Sequence, residues 1–292
     1  MSKTLLSFGH GFSAKALTPR LTRKGWRVIG TTRSAEKAAA VMASGAEPLV
    51  WPGTDISEVL QQADALLISA GPGAHGDPVL NMLQDQITAA ASQFDWVGYL
   101  STTGVYGDHA GGWVDESTPL TPSTKRGQAR VEAEAAWQAI PDLNLHIFRL
   151  AGIYGPGRGP FSKVRKGTAR RIIKKGQVFS RIHVEDIAQV LQASLAQPNP
   201  GAIYNLCDDD PAPPQDVIAY AAELLGVPLP PAVDFETANM TPMARSFYAE
   251  SKKVRNDRIS RELGVQLMYP DYRTGLEALL REERENDITT EL

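Results

Sequence analysis

TLLSFGHGFSAKAL, residues 4–17, decides the fold. Five residues of short apolar run, Thr4 to Phe8, stop at Gly9-His10-Gly11-Phe12-Ser13-Ala14. A helical pattern over 12–24 follows, then a second apolar run, RVIGTT, at 27–32. A strand, a G-x-G-x-x-A turn and a helix, with a second strand at this distance, predict a dinucleotide-binding βαβ unit. Gly9 permits the tight turn, Gly11 lets a diphosphate approach the backbone, and Ala14 allows close helix–strand packing. The N–H groups of Phe12 and Ser13, at the start of the helix, are free to receive phosphate oxygens.

The rest of the first half repeats the alternation. EPLVW (47–51), DALLISA (64–70), WVGYLS (96–101) and LHIFRL (145–150) read as strands. Helical periodicity, a 3.6-residue repeat, covers 35–43, 77–93 and 123–139. Continuous Val/Ile/Leu runs belong to strands buried on both faces, so the class is α/β with a doubly wound parallel sheet. Pro19 falls inside the first helix and is expected to kink it. Beyond residue 155 come a glycine-rich loop, the basic run 163–177, a strand-to-helix segment at 181–196, a strand at 202–206 and a helix at 213–226. Residues 227–255 read as irregular, and two helices close the chain before an acidic tail expected to be solvated.

Composition narrows the function. The chain has 292 residues, enough for one large domain or two modest ones, and a net charge of −3 that does not point to nucleic acid. Its one cysteine, Cys207, precludes an internal disulfide and fits a reducing, cytoplasmic setting. No apolar run reaches membrane-spanning length. No pair of histidines has helical metal-ligand spacing, so no metal is expected.

The end of the second strand bears on the cofactor. An NAD site places Asp or Glu there for the ribose 2′-hydroxyl. This chain has Thr31-Thr32-Arg33-Ser34. A guanidinium suits a 2′-phosphate, which favours NADP over NAD; the competing reading of Arg33 is a surface arginine. The turn after the fourth strand, Ala70-Gly71, is expected beside the cofactor.

Four further stretches carry a family resemblance: Leu100-Ser101-Thr102-Thr103-Gly104-Val105-Tyr106-Gly107, Arg149-Leu150-Ala151-Gly152-Ile153-Tyr154-Gly155-Pro156-Gly157, Ile182-His183-Val184-Glu185-Asp186-Ile187-Ala188 and Ala202-Ile203-Tyr204-Asn205-Leu206. In order and content they resemble the extended short-chain dehydrogenase/reductase family, which contains nucleotide-sugar epimerases and dehydratases. The resemblance implies a Rossmann-like domain over 1–155, to which 181–206 returns, and a smaller mixed α/β substrate domain mainly over 156–292. It also implies a small-molecule substrate, nucleotide-sugar-like or otherwise anionic, and suggests a homodimer.

One departure dominates the functional reading. The family's proton-transferring Tyr-x-x-x-Lys pair is matched by Arg126 and Arg130 in KRGQARVEAE, and no tyrosine lies between Tyr106 and Tyr154. Thr102 matches the Ser or Thr that binds the reacting oxygen. Arginine stays protonated, so Arg126 can stabilise an oxyanion or bind an anion but cannot shuttle a proton. Arg130 can still donate to a ribose hydroxyl; an ordinary ion pair with Glu134 is the competing reading. Two functional classes remain: an oxidoreductase or epimerase with a non-standard site, and a non-catalytic NADP(H) sensor. His10 would touch the diphosphate or be exposed. His75 is the remaining proton carrier by ordinary pKa, or a mobile loop histidine. Tyr106 and Tyr154 could serve as acids, but the resemblance implies structural positions for both, and it implies that His183 packs the two domains together. The run Lys163 to Lys175 is a solvated face or meets an anionic substrate.

Overall fold

The computed structural model describes residues 2–290, with side chains described through Glu285. The acidic tail beyond that point lies outside them. Seven parallel strands form the central sheet: β1 (Thr4–Phe8), β2 (Arg27–Thr32), β3 (Glu47–Val50), β4 (Ala65–Ile68), β5 (Trp96–Thr102), β6 (Leu145–Leu150) and β7 (Ile203–Leu206). Their order is β7-β6-β5-β4-β1-β2-β3. The winding reverses between β1 and β4, and the crevice beyond the carboxyl ends of strands at such a point is where open α/β sheets bind ligands.

Alternate residues of each strand feed opposite faces, because side chains on a strand alternate. Leu5 and Leu67 join one apolar cluster with Leu17 and Leu21 of helix α1 (Phe12–Thr22), while Leu6, Phe8, Leu66 and Ile68 join another with Leu83 and Ile87 of helix α2 (Leu80–Ala89). Helix α3 (Lys125–Gln138) covers the second face with Ala133 and Trp137, and helix α4 (Val184–Ala196) packs on α1 over the first. A third cluster, built from Tyr154, Phe161, Val217, Tyr272 and Leu276 among others, stands apart from these two.

Element ends differ from expectation where local chemistry intervenes. Helix α1 ends at Thr22, one turn after Pro19. The expected helix at 35–43 splits into a 3₁₀ turn, Ala35–Lys37, and Ala38–Met42, and that at 77–93 contracts to Leu80–Ala89. At the latter, the Asp77 carboxylate accepts from the N–H groups of Val79 and Leu80 (2.9 and 3.1 Å), so residues 77–79 form a turn ahead of the helix. The helix Ser57–Gln62 was not evident in the sequence. The stretch 227–255 contains two short strands, Ala232–Asp234 and Lys253–Val254, and a short helix, Pro242–Phe247. Each short strand pairs with a distant segment, Arg171–Ile173 and Trp113–Val114 respectively, a long-range partner that periodicity does not reveal.

Candidate active site

A cleft of about 790 Å³ opens at the carboxyl ends of the strands. Its floor near β1 is the glycine turn. Gly9 has φ +72°, and a Cβ there would come 2.8 Å from the Ala70 nitrogen, so only glycine lets the ends of β1 and β4 approach so closely. Thr31 fixes the turn: its hydroxyl accepts from Gly9 N–H (2.9 Å) and its carbonyl from His10 N–H (3.0 Å). Gly11 is different. A Cβ there would meet only the Gly9 carbonyl at 3.6 Å, leaving open space before the helix. Helix α1 begins there with no side-chain cap and no acid in its first turn, and Gly9, Gly11, Phe12 and Ser13 all line the cleft. An uncapped helix N-terminus of this form suits a diphosphate.

His10 is turned away from the cleft. It packs over Gly30, where a Cβ would come 2.5 Å from its ring, and its Nε2 lies 3.2 Å from the hydroxyls of Thr18 and Ser44. Burial, aided by Lys15, lowers its pKa to about 4. It therefore neither touches a phosphate nor is exposed. The bare Gly30 opposite it was the sequence signal for this inward position.

The opposite wall comes from β5 and α3. Thr102 ends β5 and caps the 3₁₀ turn Thr103–Tyr106 by accepting from Gly104 N–H (3.2 Å). Among the described contacts its own O–H has no acceptor, and the residue lines the cleft. Thr124 caps α3 by accepting from Gly127 N–H (3.0 Å). A Cβ at Gly127 would meet the Gly104 carbonyl at 2.7 Å, so this glycine brings the start of α3 against the turn that follows Thr102.

Arg126 and Arg130 both line the cleft but are placed differently. Arg130 lies inward. Its Nη1 donates to the Leu100 carbonyl (2.6 Å) and the Tyr99 hydroxyl (3.1 Å), and a Cβ on Gly71 would come 2.8 Å from its Nη2. It thus bridges the ends of β4 and β5. Arg126 is on the exposed rim, over the Phe247 ring (4.9 Å) and near the Ser246 hydroxyl (3.4 Å). The i,i+4 pair of Arg130 with Glu134 does not form. Glu134 is buried and binds Arg149 instead (2.7 Å), while accepting from Ser101; Arg149 also donates to the Tyr106 hydroxyl (3.0 Å), which donates to Asn205 (2.8 Å). This buried network supports β5 and α3 beneath the cleft. Burial pushes the Tyr106 hydroxyl up to about 12 and that of Tyr154 higher still, leaving neither as an ordinary acid.

Arg33 stands exposed just past β2, without a partner among the described contacts and outside the cleft-lining set. Ala70 and Gly71 form the turn after β4, between Gly9 and Arg130. His75 is exposed on the following loop and does not line the cleft. His183 is buried, with its ring edge-on to Tyr154 (5.1 Å) and 4.0 Å from Tyr269, and burial lowers its pKa to about 4. None of the seven basic residues between Lys163 and Lys175 lines the cleft; Arg165 instead pairs with Glu283 (2.5 Å).

The cleft's remaining charges come from positions not singled out in the sequence: Arg158, Arg181, Glu250 and Lys252. Glu250 and Lys252 bind each other (2.7 Å). The four cleft arginines form no ion pair among the described residues. Beyond the Glu250–Lys252 pair, the cleft therefore carries an excess of positive charge from its four arginines. Among the described residues no group of His, Cys, Asp and Glu could hold a metal ion, and no helix is long and apolar enough to cross a membrane.

Comparison with known proteins agrees with this architecture. The model of the NAD dependent epimerase/dehydratase family matches residues 8–207. Protein YeeZ of Escherichia coli (strain K12) is 31% identical over 284 residues, covering 92% of this chain and 97% of YeeZ. The solved structure of a functionally unknown conserved protein from Silicibacter pomeroyi is 67% identical with a TM-score of 0.94, over 96% of this chain and 99% of that one. UDP-glucuronic acid 4-epimerase from Bacillus cereus, solved in complex with NAD, has a TM-score of 0.75 over 96% of this chain and 99% of its own, at 17% identity, a likeness of fold.

Proposed function

The chain belongs to the NAD-dependent epimerase/dehydratase family, and we propose that it binds a nicotinamide dinucleotide, NADP(H) in preference to NAD(H), as an oxidoreductase or epimerase of a small anionic or nucleotide-sugar-like substrate. One observation carries this reading: the open, uncapped helix start at Gly11 shares a single cleft with Thr102, Arg126 and Arg130. Residues 1–155 with 181–206 would form the cofactor half, and 156–292 mainly the substrate half. The reading places the protein in a reducing, cytoplasmic setting, which the single cysteine, Cys207, buried, supports.

Gly9, Gly11, Phe12 and Ser13 would hold the diphosphate, with Ala70 and Gly71 flanking it. Arg33, for which the end of β2 offers no carboxylate partner, would meet the 2′-phosphate. Arg130 would donate to the nicotinamide ribose from its fixed place against Leu100. When bound, the nicotinamide supplies or accepts hydride. Thr102 would donate its free O–H to the reacting oxygen, and Arg126 would stabilise negative charge on the substrate. Neither arginine moves a proton.

That last point supports a second reading, a non-catalytic NADP(H) sensor. Of the ionisable cleft residues other than arginine, Glu250 and Lys252 engage one another and the Tyr154 hydroxyl is raised by burial. Turnover of any carbonyl or sugar-nucleotide substrate that disappears in Thr102→Ala would eliminate the sensor reading.

The cofactor is tested by fluorescence titration of the purified chain with NADPH and NADH. NADPH should bind more tightly, and Arg33→Ser should narrow the gap by about tenfold, as expected for losing one charge-assisted contact. If neither nucleotide binds, the reading fails.

A further inference from the structure

Arg158 belongs to the second half of the chain yet lies against the helix that starts the first. Its guanidinium sits over the Phe12 ring (5.6 Å), and Phe12 is the first residue of α1, whose N-terminus opens into the cleft that Arg158 also lines. No acid or carbonyl accepts from this guanidinium among the described contacts, and the residue is exposed.

The backbone around it holds that position. Gly155 N–H donates to the Arg158 carbonyl (3.0 Å), and Arg158 N–H donates back to Gly155 (2.9 Å). Gly157, at φ +68°, turns the chain between them. A Cβ on Gly155 would come 2.6 Å from Val184 Cγ1 and 3.1 Å from the Phe12 ring. The closed turn therefore presses directly on Phe12, and its glycine is what permits the approach. The turn thus holds a guanidinium over the Phe12 ring, without an acidic partner among the described residues, beside an uncapped helix N-terminus.

We propose that Arg158 clamps the cofactor's diphosphate from the loop beside the start of α1, so that the anion is held both by the backbone N–H groups of α1 and by a guanidinium from the second half of the chain. Bidentate donation from a guanidinium matches phosphate geometry, and the Phe12 face orients the fork. The inference rests on the cofactor reading above and goes beyond it: the sequence motif contains only the glycine-turn side of the phosphate site. It also ties cofactor binding to the placement of Gly155–Arg158 relative to α1.

The test is calorimetric titration of the full-length protein and of Arg158→Met, which keeps an apolar stem over Phe12, with three probes: NADPH, ADP-ribose and adenosine 2′-phosphate. Arg158→Met should bind NADPH and ADP-ribose about ten- to a hundredfold more weakly, the range for deleting a hydrogen bond to a charged group. Adenosine 2′-phosphate, which lacks the diphosphate, should bind the two proteins equally, and Arg158→Lys should recover part of the lost affinity. The melting temperature without ligand should be unchanged, so a folding defect is separately visible. If the wild-type protein binds NADPH and Arg158→Met binds it equally, the clamp alone is wrong. Equal weakening for all three probes would also overturn it, placing Arg158 at the adenosine end. If the wild-type protein binds neither NADPH nor ADP-ribose, the cofactor reading fails and the clamp with it.

Discussion

The two walls of the cleft are specified in different ways. The glycine turn is a matter of backbone: Gly9 and Gly11 act by what they lack, and the turn follows from φ angles and close approach. The α3 wall is a matter of side chains: Arg126 and Arg130 stand about one helical turn apart, yet one lies on the exposed rim and the other inside. Backbone-defined sites tolerate almost no substitution, whereas the chemistry of a side-chain wall can change while its scaffold stays. Here the scaffold of α3, with its Thr124 cap and the tight contact at Gly127, carries the arginine pair Arg126 and Arg130.

The sharpest way to break this contrast is at Gly9. Gly9→Ala places a Cβ in a left-handed conformation 2.8 Å from the Ala70 nitrogen. It should lose about 2–4 kcal/mol in urea unfolding, from strain and overlap together. A loss below about 0.5 kcal/mol would show that the ends of β1 and β4 part easily.

The two arginines should separate next. Arg130→Met removes charged donors from the Leu100 carbonyl and the Tyr99 hydroxyl and should cost about 1.5–3 kcal/mol. Arg126→Met, on the rim, should stay within about 0.5 kcal/mol. Equal costs would contradict their different placement.

The walls should also differ in pH response. His10 behind the glycine turn has a folded pKa of about 4, below its ordinary 6.5, because burial and then Lys15 disfavour its charge. The folded state binds fewer protons between those values, so the associated stability is present above pH 6.5 and declines as pH falls toward 4. His146 and His183, also buried and lowered to about 4, add to the same decline. His10→Gln should make the fall in unfolding midpoint between pH 7 and pH 4.5 shallower. Arg126→Met should leave it unchanged, since guanidinium stays charged across that range.

What the sequence made legible follows the same division. The strands, their parallel pairing and the glycine turn are written in local patterns: apolar runs and glycines at fixed offsets; Thr102 was singled out only by the family resemblance. The partner of Glu134 was not legible. Helical spacing offered Arg130, but buried Arg149, on β6, takes the carboxylate with three charge-assisted contacts. Arg158, Arg181 and Lys252 reach the cleft from loops and short strands whose neighbours are set by tertiary packing. The basic run at 163–175 is conspicuous in sequence because its charges are adjacent, yet the cleft's five cations come from four separate segments of the chain. Local density of charge describes a surface; convergence of single charges describes a site.

The central claim is that a nicotinamide dinucleotide occupies the space before Gly11. Equilibrium dialysis of NADPH against the wild-type protein and Gly11→Ala tests it most directly, because a Cβ there enters open cleft and meets no wall closer than 3.6 Å. The account predicts one saturable site in the wild-type protein, strongly weakened in Gly11→Ala, with unfolding midpoints that stay close together. Equal NADPH binding by the two proteins, or none by the wild type, would contradict it.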